Sequence, residues 1–237
     1  MIPEKYYYAA IDFLTIIFPL MFSFLPINPV YKKWKFILPS VLLPGVLFLA
    51  WDAWFTSMGV WGFNPRYVSG IYLFNLPIEE VFFFVCIPGA CIFTYEAVNY
   101  FFKKDVLPFY QKYISGFVIA LCIVVASINY DKAYTALTFI GLLVAISLIQ
   151  WVWKPKFLGR FYLSYAFIII PFLIVNGILT GSGLDEPIVW YDNNENLGIR
   201  IATIPVEDVF YGMLLILLNI SLYEFLQRKN RQHSKIE

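Results

Sequence analysis

Two short stretches carry the residues that could do acid–base chemistry. Pro77-Ile78-Glu79-Glu80-Val81-Phe82 recurs further along the chain as Pro205-Val206-Glu207-Asp208-Val209-Phe210, at a shift of 128 in the numbering. Each opens a long apolar run, so each sets two adjacent carboxylates where a helix enters hydrocarbon. Ionisable groups at such a position are costly and are usually kept for a purpose. Burial raises a carboxyl group's proton affinity, and a second carboxyl beside it raises one of the two further. A carboxylic acid held neutral and dry can protonate an alkene, and its partner can take a proton back. Aromatic faces steady the cation formed between those steps, and the chain has 24 Phe, 17 Tyr and 7 Trp. A first-turn carboxylate can also be a plain helix cap, worth about 0.3–1 kcal/mol against the helix dipole. The recurrence of the whole Pro-x-acid-acid-Val-Phe pattern weighs against that simpler reading. Neighbours on a helix point about 100° apart. One member of each pair therefore faces a site and the other supports it, and the sequence leaves open which.

The elements that must position these groups are membrane helices. The 237 residues are 60% hydrophobic and 14% charged, with a mean hydropathy of +0.71, far from the composition of a soluble domain. A net charge of +1 points to no nucleic-acid partner. The expected fold is all-α, a polytopic membrane bundle of seven spans of about 20 residues each. They are placed near 6–25, 36–56, 77–101, 113–129, 133–153, 161–180 and 205–226. The segment from Met1 to Leu25 lacks a basic leader and a small-residue cleavage site and is read as a retained helix. Tyr130-Asp131-Lys132 is short enough to make the fourth and fifth spans a tight antiparallel hairpin. The loops then sort by charge. One side holds Lys32, Lys33, Lys35, Lys103, Lys104, Lys112, Lys154, Lys156, Arg160 and the tail's Arg228, Lys229, Arg231 and Lys235. The other holds Lys5, Arg66, Lys132 and Arg200. Thirteen of the 17 basic residues thus share one side, which by the positive-inside rule is the cytoplasm, with the N-terminus outside.

The repeat extends beyond the motifs. Gly70 meets Gly198, and Tyr95-Glu96 meets Tyr223-Glu224, at the same shift of 128. The preceding helix aligns at 124, where Phe48-Leu49 meets Phe172-Leu173 and Asp52 meets Asn176. Residues 1–102 form a first three-helix repeat, 103–132 a linker helix, and 133–237 a second repeat with a basic tail. A shift of four crossings keeps direction, so the repeats are parallel, related by a pseudo-twofold along the membrane normal. Both carboxylate pairs then share one face and one depth. Asp12 and Asp52 lie in the same outer layer, Asp52 about 6 Å below the outer end of its helix. Asp52 and Asn176 are the supporting residues expected there, with Pro77 and Pro205 in the first helical turns. Glu96 and Glu224 fall near the opposite interface as anchors beside Tyr95 and Tyr223. The loops at 57–76 and 181–204 either roof the site or are plain solvated segments. Cys86, Cys91 and Cys122 read as small buried residues.

Other chemistries lack their residues. The one histidine, His233, lies in the tail, away from any intramembrane metal or general-base role. No Gly-rich nucleotide motif is present, and the seventh span has no lysine for a Schiff base. A proton- or cation-coupled transporter would use the same acid layer. A non-catalytic binding or scaffold protein of the membrane is a third possibility.

Two motifs, Pro77-Ile78-Glu79-Glu80 and Pro205-Val206-Glu207-Asp208, in a small heptahelical protein with a three-helix repeat resemble the lycopene cyclase domain family. Its members are membrane carotenoid cyclases found as two small subunits, as fused chains, or joined to phytoene synthase in fungi. The resemblance covers nearly the whole chain, and this chain looks like the fused form. It implies an isomerase that cyclises the ψ-ends of a linear, lycopene-like carotenoid without net redox change, and β-type rings are the expected product. It implies independence from flavin, and with no intramembrane histidine to bind a metal, no cofactor is expected. Glu79, Glu80, Glu207 and Asp208 become the catalytic residues on that resemblance. The lipid bilayer and other carotenoid-pathway enzymes are the implied partners. It does not fix β- against ε-ring formation, or one end against both.

Overall fold

The computed structural model describes residues 2–103, 107, 109–153 and 155–233. Lys104, Lys154 and Lys235 of the charge pattern lie outside them. Seven long helices appear: α1 Tyr7–Phe22, α2 Trp34–Met58, α3 Ile78–Phe101, α4 Gln111–Ile128, α5 Ala133–Ser147, α6 Leu158–Leu179 and α7 Val206–His233. A π-helical segment, Leu148–Trp153, prolongs α5. Among the described residues, six helices are long and apolar enough to cross a membrane. α1, at 16 residues, is shorter than that. It stops at Phe22, short of the expected end at Leu25, where Ser23 turns its Oγ back on the Leu20 carbonyl (2.7 Å). α2 runs past its expected end at Thr56, to Met58. Gly59 closes it at φ 76 while Val60 N–H returns to the Phe55 carbonyl, a glycine-dependent C-terminal cap. Asp52 is therefore about 9 Å from the helix end, deeper than the roughly 6 Å expected.

Pro77 and Pro205 precede the first helical turn instead of occupying it. Both belong to short hairpins. β2 (Tyr72–Leu73) pairs with β3 (Leu76–Pro77), and β5 (Arg200–Ile201) pairs with β6 (Ile204–Pro205). Pairing with Tyr72 holds Pro77 extended at ψ 150, so α3 starts at Ile78 with Glu79 and Glu80 in its first turn. Before the hairpins, β1 (Trp61–Phe63) crosses to the other loop and pairs antiparallel with β4 (Val189–Tyr191). Asn64 N–H to the Ile188 carbonyl and Asp192 N–H to the Val60 carbonyl, both 2.8 Å, extend this ladder at its two ends. Gly62 faces Trp190 at its centre. A Cβ on Gly62 would sit 2.3 Å from the indole, so this crossing needs a glycine. The two loops are thus one structure over the bundle and not separate solvated segments.

α1 packs on α3 and α5 on α7, α2 joins α7 to α3, α6 lies on α3, and α4 forms the expected hairpin with α5. The core gathers Phe48, Phe84, Ile92, Leu142, Ile146 and Leu217. Lipid tails are as apolar as these side chains, so helix association rests on close packing and polar clamps more than on water exclusion. One such clamp corrects the reading of Glu96 and Glu224 as separate interfacial anchors. Tyr95 donates to Glu224 (2.7 Å), Tyr223 donates to Glu96 (2.5 Å), and Lys33 pairs with Glu96. The two tyrosines stitch α3 to α7 reciprocally, with Glu96 only 6% exposed.

Candidate active site

The adjacent carboxylates of each motif diverge, as the helix angle requires. Glu79 and Glu207 turn toward the loops. Glu79 accepts the Ser69 N–H (2.8 Å); Glu207 accepts the Leu197 N–H (2.7 Å) and the Thr135 hydroxyl (2.6 Å). Ser69 and Leu197 match each other in the repeat, so these bonds fix the chain just before each hairpin at equivalent places. The second carboxylate oxygen of each is buried without a hydrogen-bond partner. Asp12 is buried with both oxygens unpartnered, and Glu79 is its electrostatic neighbour.

Glu80 and Asp208 turn the other way. The Tyr8 hydroxyl donates to Glu80, and the Tyr134 hydroxyl donates to Asp208. Each tyrosine is seated by its own backbone on a loop: Tyr8 N–H on the Tyr67 carbonyl (3.3 Å), Tyr134 N–H on the Glu195 carbonyl (3.0 Å). Beyond this the two centres differ. Asp52 neighbours Glu80 and accepts the Trp61 indole N–H and, at 3.4 Å, the Thr56 hydroxyl. Where Asp52 stands in the first half, Asn176 stands in the second and donates its amide to Asp208 (2.6 Å). The Tyr191 hydroxyl adds a third donor to Asp208 (3.1 Å). Burial, and then the charge of Asp208, push the Tyr191 phenol well above its ordinary range, so it holds its proton and acts as donor.

Both centres face a single cavity of about 690 Å³, within the roughly 300–1,000 Å³ of small-molecule sites. Asp52, Glu80, Asn176 and Asp208 line it, whereas Asp12, Glu79 and Glu207 do not. Trp61, Phe63, Val189 and Tyr191 of the β1–β4 ladder form its roof, and the remaining wall is mostly aliphatic and aromatic. Against one side of the cavity Trp51, Phe55, Trp61, Tyr134 and Tyr211 form an aromatic cluster, with ring contacts such as Phe55–Trp61 at 4.8 Å and Trp51–Tyr211 at 5.3 Å. The smaller Val175, Leu179 and Val189 stand at the positions matching Trp51, Phe55 and Trp61, and they line the open volume. Toward the lipid-facing surface the lining includes Leu14 and Phe18 of α1 and Ile174 and Ile178 of α6, all exposed.

Of the residues singled out in the sequence, Glu80, Asp208, Asp52 and Asn176 are brought together on this cavity. Glu79 and Glu207 lie behind it, and Pro77 and Pro205 set the hairpin ends. Tyr8, Tyr134, Trp61, Tyr191 and Tyr211 were not singled out. Helix α1 aligns with α5 at a shift of 126, matching Tyr8 with Tyr134, Ala10 with Ala136 and Phe13 with Phe139. That match was the available signal for the two tyrosines. No group of three or more His, Cys, Asp or Glu suited to a metal ion occurs among the described residues.

A sequence model of a family described as lycopene cyclase matches residues 5–98 and 131–226. The chain is 28% identical over 125 residues to a bifunctional lycopene cyclase/phytoene synthase of Aspergillus niger. That match spans 47% of this chain and 21% of the fungal protein's length. No solved structure matches the chain.

Proposed function

Because the chain belongs to the lycopene cyclase family, we propose that it is a membrane-embedded carotenoid cyclase acting by acid–base catalysis on the ψ-ends of a linear carotenoid. The observation that carries this reading is the meeting of Glu80 and Asp208, one from each motif, on one apolar cavity. The fungal relative's name assigns lycopene cyclisation to that longer protein, and the same substrate class suits this cavity.

The two centres take different parts. Asp52 and Glu80 are neighbouring buried carboxyls, and two such groups hold a proton between them because both cannot ionise side by side. This pair is the donor. Its proton goes to the terminal double bond of the ψ-end, and the resulting cation closes on the neighbouring double bond to form the ring. Asp208, with three hydrogen-bond donors, is the acceptor. It takes a proton from the ring carbon beside the cation, leaving a double bond of the β type. Trp61, Phe63 and Phe83 line the cavity, and aromatic rings there steady the developing charge. Glu79 and Glu207 hold the loops that carry the roof. Protons balance over the reaction, and no electrons are gained or lost.

The same reading arranges the helices as two parallel three-helix repeats about a pseudo-twofold along the membrane normal, with α4 as linker. It sets the N-terminus outside and the C-terminus in the cytoplasm. The substrate comes sideways from lipid, between α1 and α6. Expression in a lycopene-accumulating host tests the proposal. The wild-type chain depletes lycopene and forms a β-ring product, while Glu80→Ala and Asp208→Ala leave lycopene intact. Unchanged cyclisation in both variants would refute the assigned roles.

A further inference from the structure

The repeat is broken at two hydroxyls that face the cavity. Tyr191 stands where the first half has Phe63, and Tyr211 where it has Phe83, both at the shift of 128. Phenylalanine at the matching positions shows that packing there needs only a ring. Both phenols are half-buried, and a hydroxyl drawn out of water costs free energy unless it is hydrogen-bonded, so these two call for an account beyond packing.

Their position supplies one. Tyr191 donates to Asp208 at 3.1 Å. Tyr211 follows Asp208 at i+3 on α7, a spacing that brings side chains onto one helix face, and the carboxyls of Asp52, Glu80 and Asp208 all act on it electrostatically. The two phenols flank the same pair of rings. Tyr191 lies 6.1 Å from Trp61 and 5.8 Å from Tyr134 between centroids, and Tyr211 lies 6.1 Å from each. Tyr191, Tyr211, Asp208, Asp52 and Glu80 all line the one cavity. The two phenols thus stand on the wall that the acceptor and donor centres share.

Cyclisation as proposed above leaves a need at that place. After each ring closes, Asp208 holds a proton and the Asp52–Glu80 pair lacks one. We propose that Tyr191 and Tyr211 return this proton from Asp208 to the Asp52–Glu80 pair, so that the site resets internally between turnovers. Asp208 gives its carboxyl proton to the Tyr191 oxygen while Tyr191 passes its own to the Tyr211 oxygen. Tyr211 passes its proton to Glu80 or Asp52. Both phenols end neutral, one carboxylate charge has moved from the donor pair to Asp208, and no oxidant or other reactant is needed. The hydrogen removed from one substrate then becomes the hydrogen added to the next.

This inference rests on the cyclase reading, and an isotope experiment separates the two. The full chain is reconstituted in phosphatidylcholine liposomes with lycopene in deuterated buffer. Product is followed over many turnovers by chromatography and mass spectrometry. The wild type is expected to give rings with less deuterium than the solvent supplies, because protium is recycled. Tyr211→Phe keeps the ring, as Phe83 does in the first half, and leaves all three donors to Asp208 in place. It is expected to show a burst of about one turnover, then a steady rate lower by about 10²-fold, with rings at the solvent's full deuterium content. Tyr191→Phe also removes a donor to Asp208, so its first turnover slows as well, and it is read by label, with full deuterium expected. Full deuterium in the wild-type product overturns the internal return. So does a Tyr211→Phe variant that matches the wild type in rate and label or that loses the first turnover as well, and so does a Tyr191→Phe variant whose product carries the wild-type label. Absence of any cyclic product from the wild type overturns the cyclase reading and this inference with it.

Discussion

At the scale of single residues, one difference makes the halves unequal: a carboxyl at Asp52 against an amide at Asn176. Both are helical, buried and next to a motif carboxyl, so an amide fits either place sterically. Asp52→Asn therefore keeps the fold and removes the partner that holds the donor's proton. Ring formation is expected to fall by about 10²–10⁴-fold, the usual worth of a positioned acid. Product analysis beside a thermal-unfolding measurement in detergent checks this, and a variant with wild-type rate would contradict the shared-proton donor. The motif pairs and the Asp52–Asn176 match were legible in the sequence because each repeats at a fixed shift. Which carboxyl of each pair faces the cavity was not legible. Adjacent residues diverge by a known angle, but only packing sets the absolute orientation of the helix. The Tyr8–Glu80 and Tyr134–Asp208 bonds join side chains far apart in the sequence, beyond any local pattern.

At the scale of elements, helices were readable from hydropathy and from proline and glycine at their ends, while the strands were not. Such short strands leave no room for an alternating pattern to show. The β1–β4 pairing depends on a crossing between the loop before α3 and the loop before α7, with Gly62 at its centre. Gly62→Ala forces a methyl group against the Trp190 ring and is expected to cost about 1–3 kcal/mol, as overpacking does. Trp61 and Tyr191 shift with the β1–β4 ladder, so cyclisation falls too. Because the clash is with one side chain, Trp190→Ala in the same chain is expected to restore both stability and product yield. Thermal unfolding and pigment yield of the two single variants and the double variant test this. A double variant no better than Gly62→Ala would contradict the assigned contact.

At the scale of the whole molecule, the two motifs meet on one cavity. Aromatic side chains of α2, β1, α5 and α7 cluster against one side of it, and exposed residues of α1 and α6 line another. This could not be read from the repeat, which suggests two equal sites; it follows from substitutions such as Trp51 against Val175 that change volume at matched positions. α1 and α6 make only slight contact, and their exposed Leu14, Phe18 and Ile174 reach the cavity. Ile174→Trp narrows that passage and is expected to raise the KM for lycopene in liposomes with little change in kcat. An unaltered KM would argue against lateral access from lipid. The most direct test of the central claim, that one carboxyl from each motif acts across a shared cavity, compares ring formation by purified protein in lycopene-loaded liposomes. Wild type and Glu79→Gln are expected to form cyclic product, the latter in lower yield as its loop loosens, while Glu80→Gln and Asp208→Asn form none. Cyclisation at the wild-type rate by Glu80→Gln or Asp208→Asn would contradict the account.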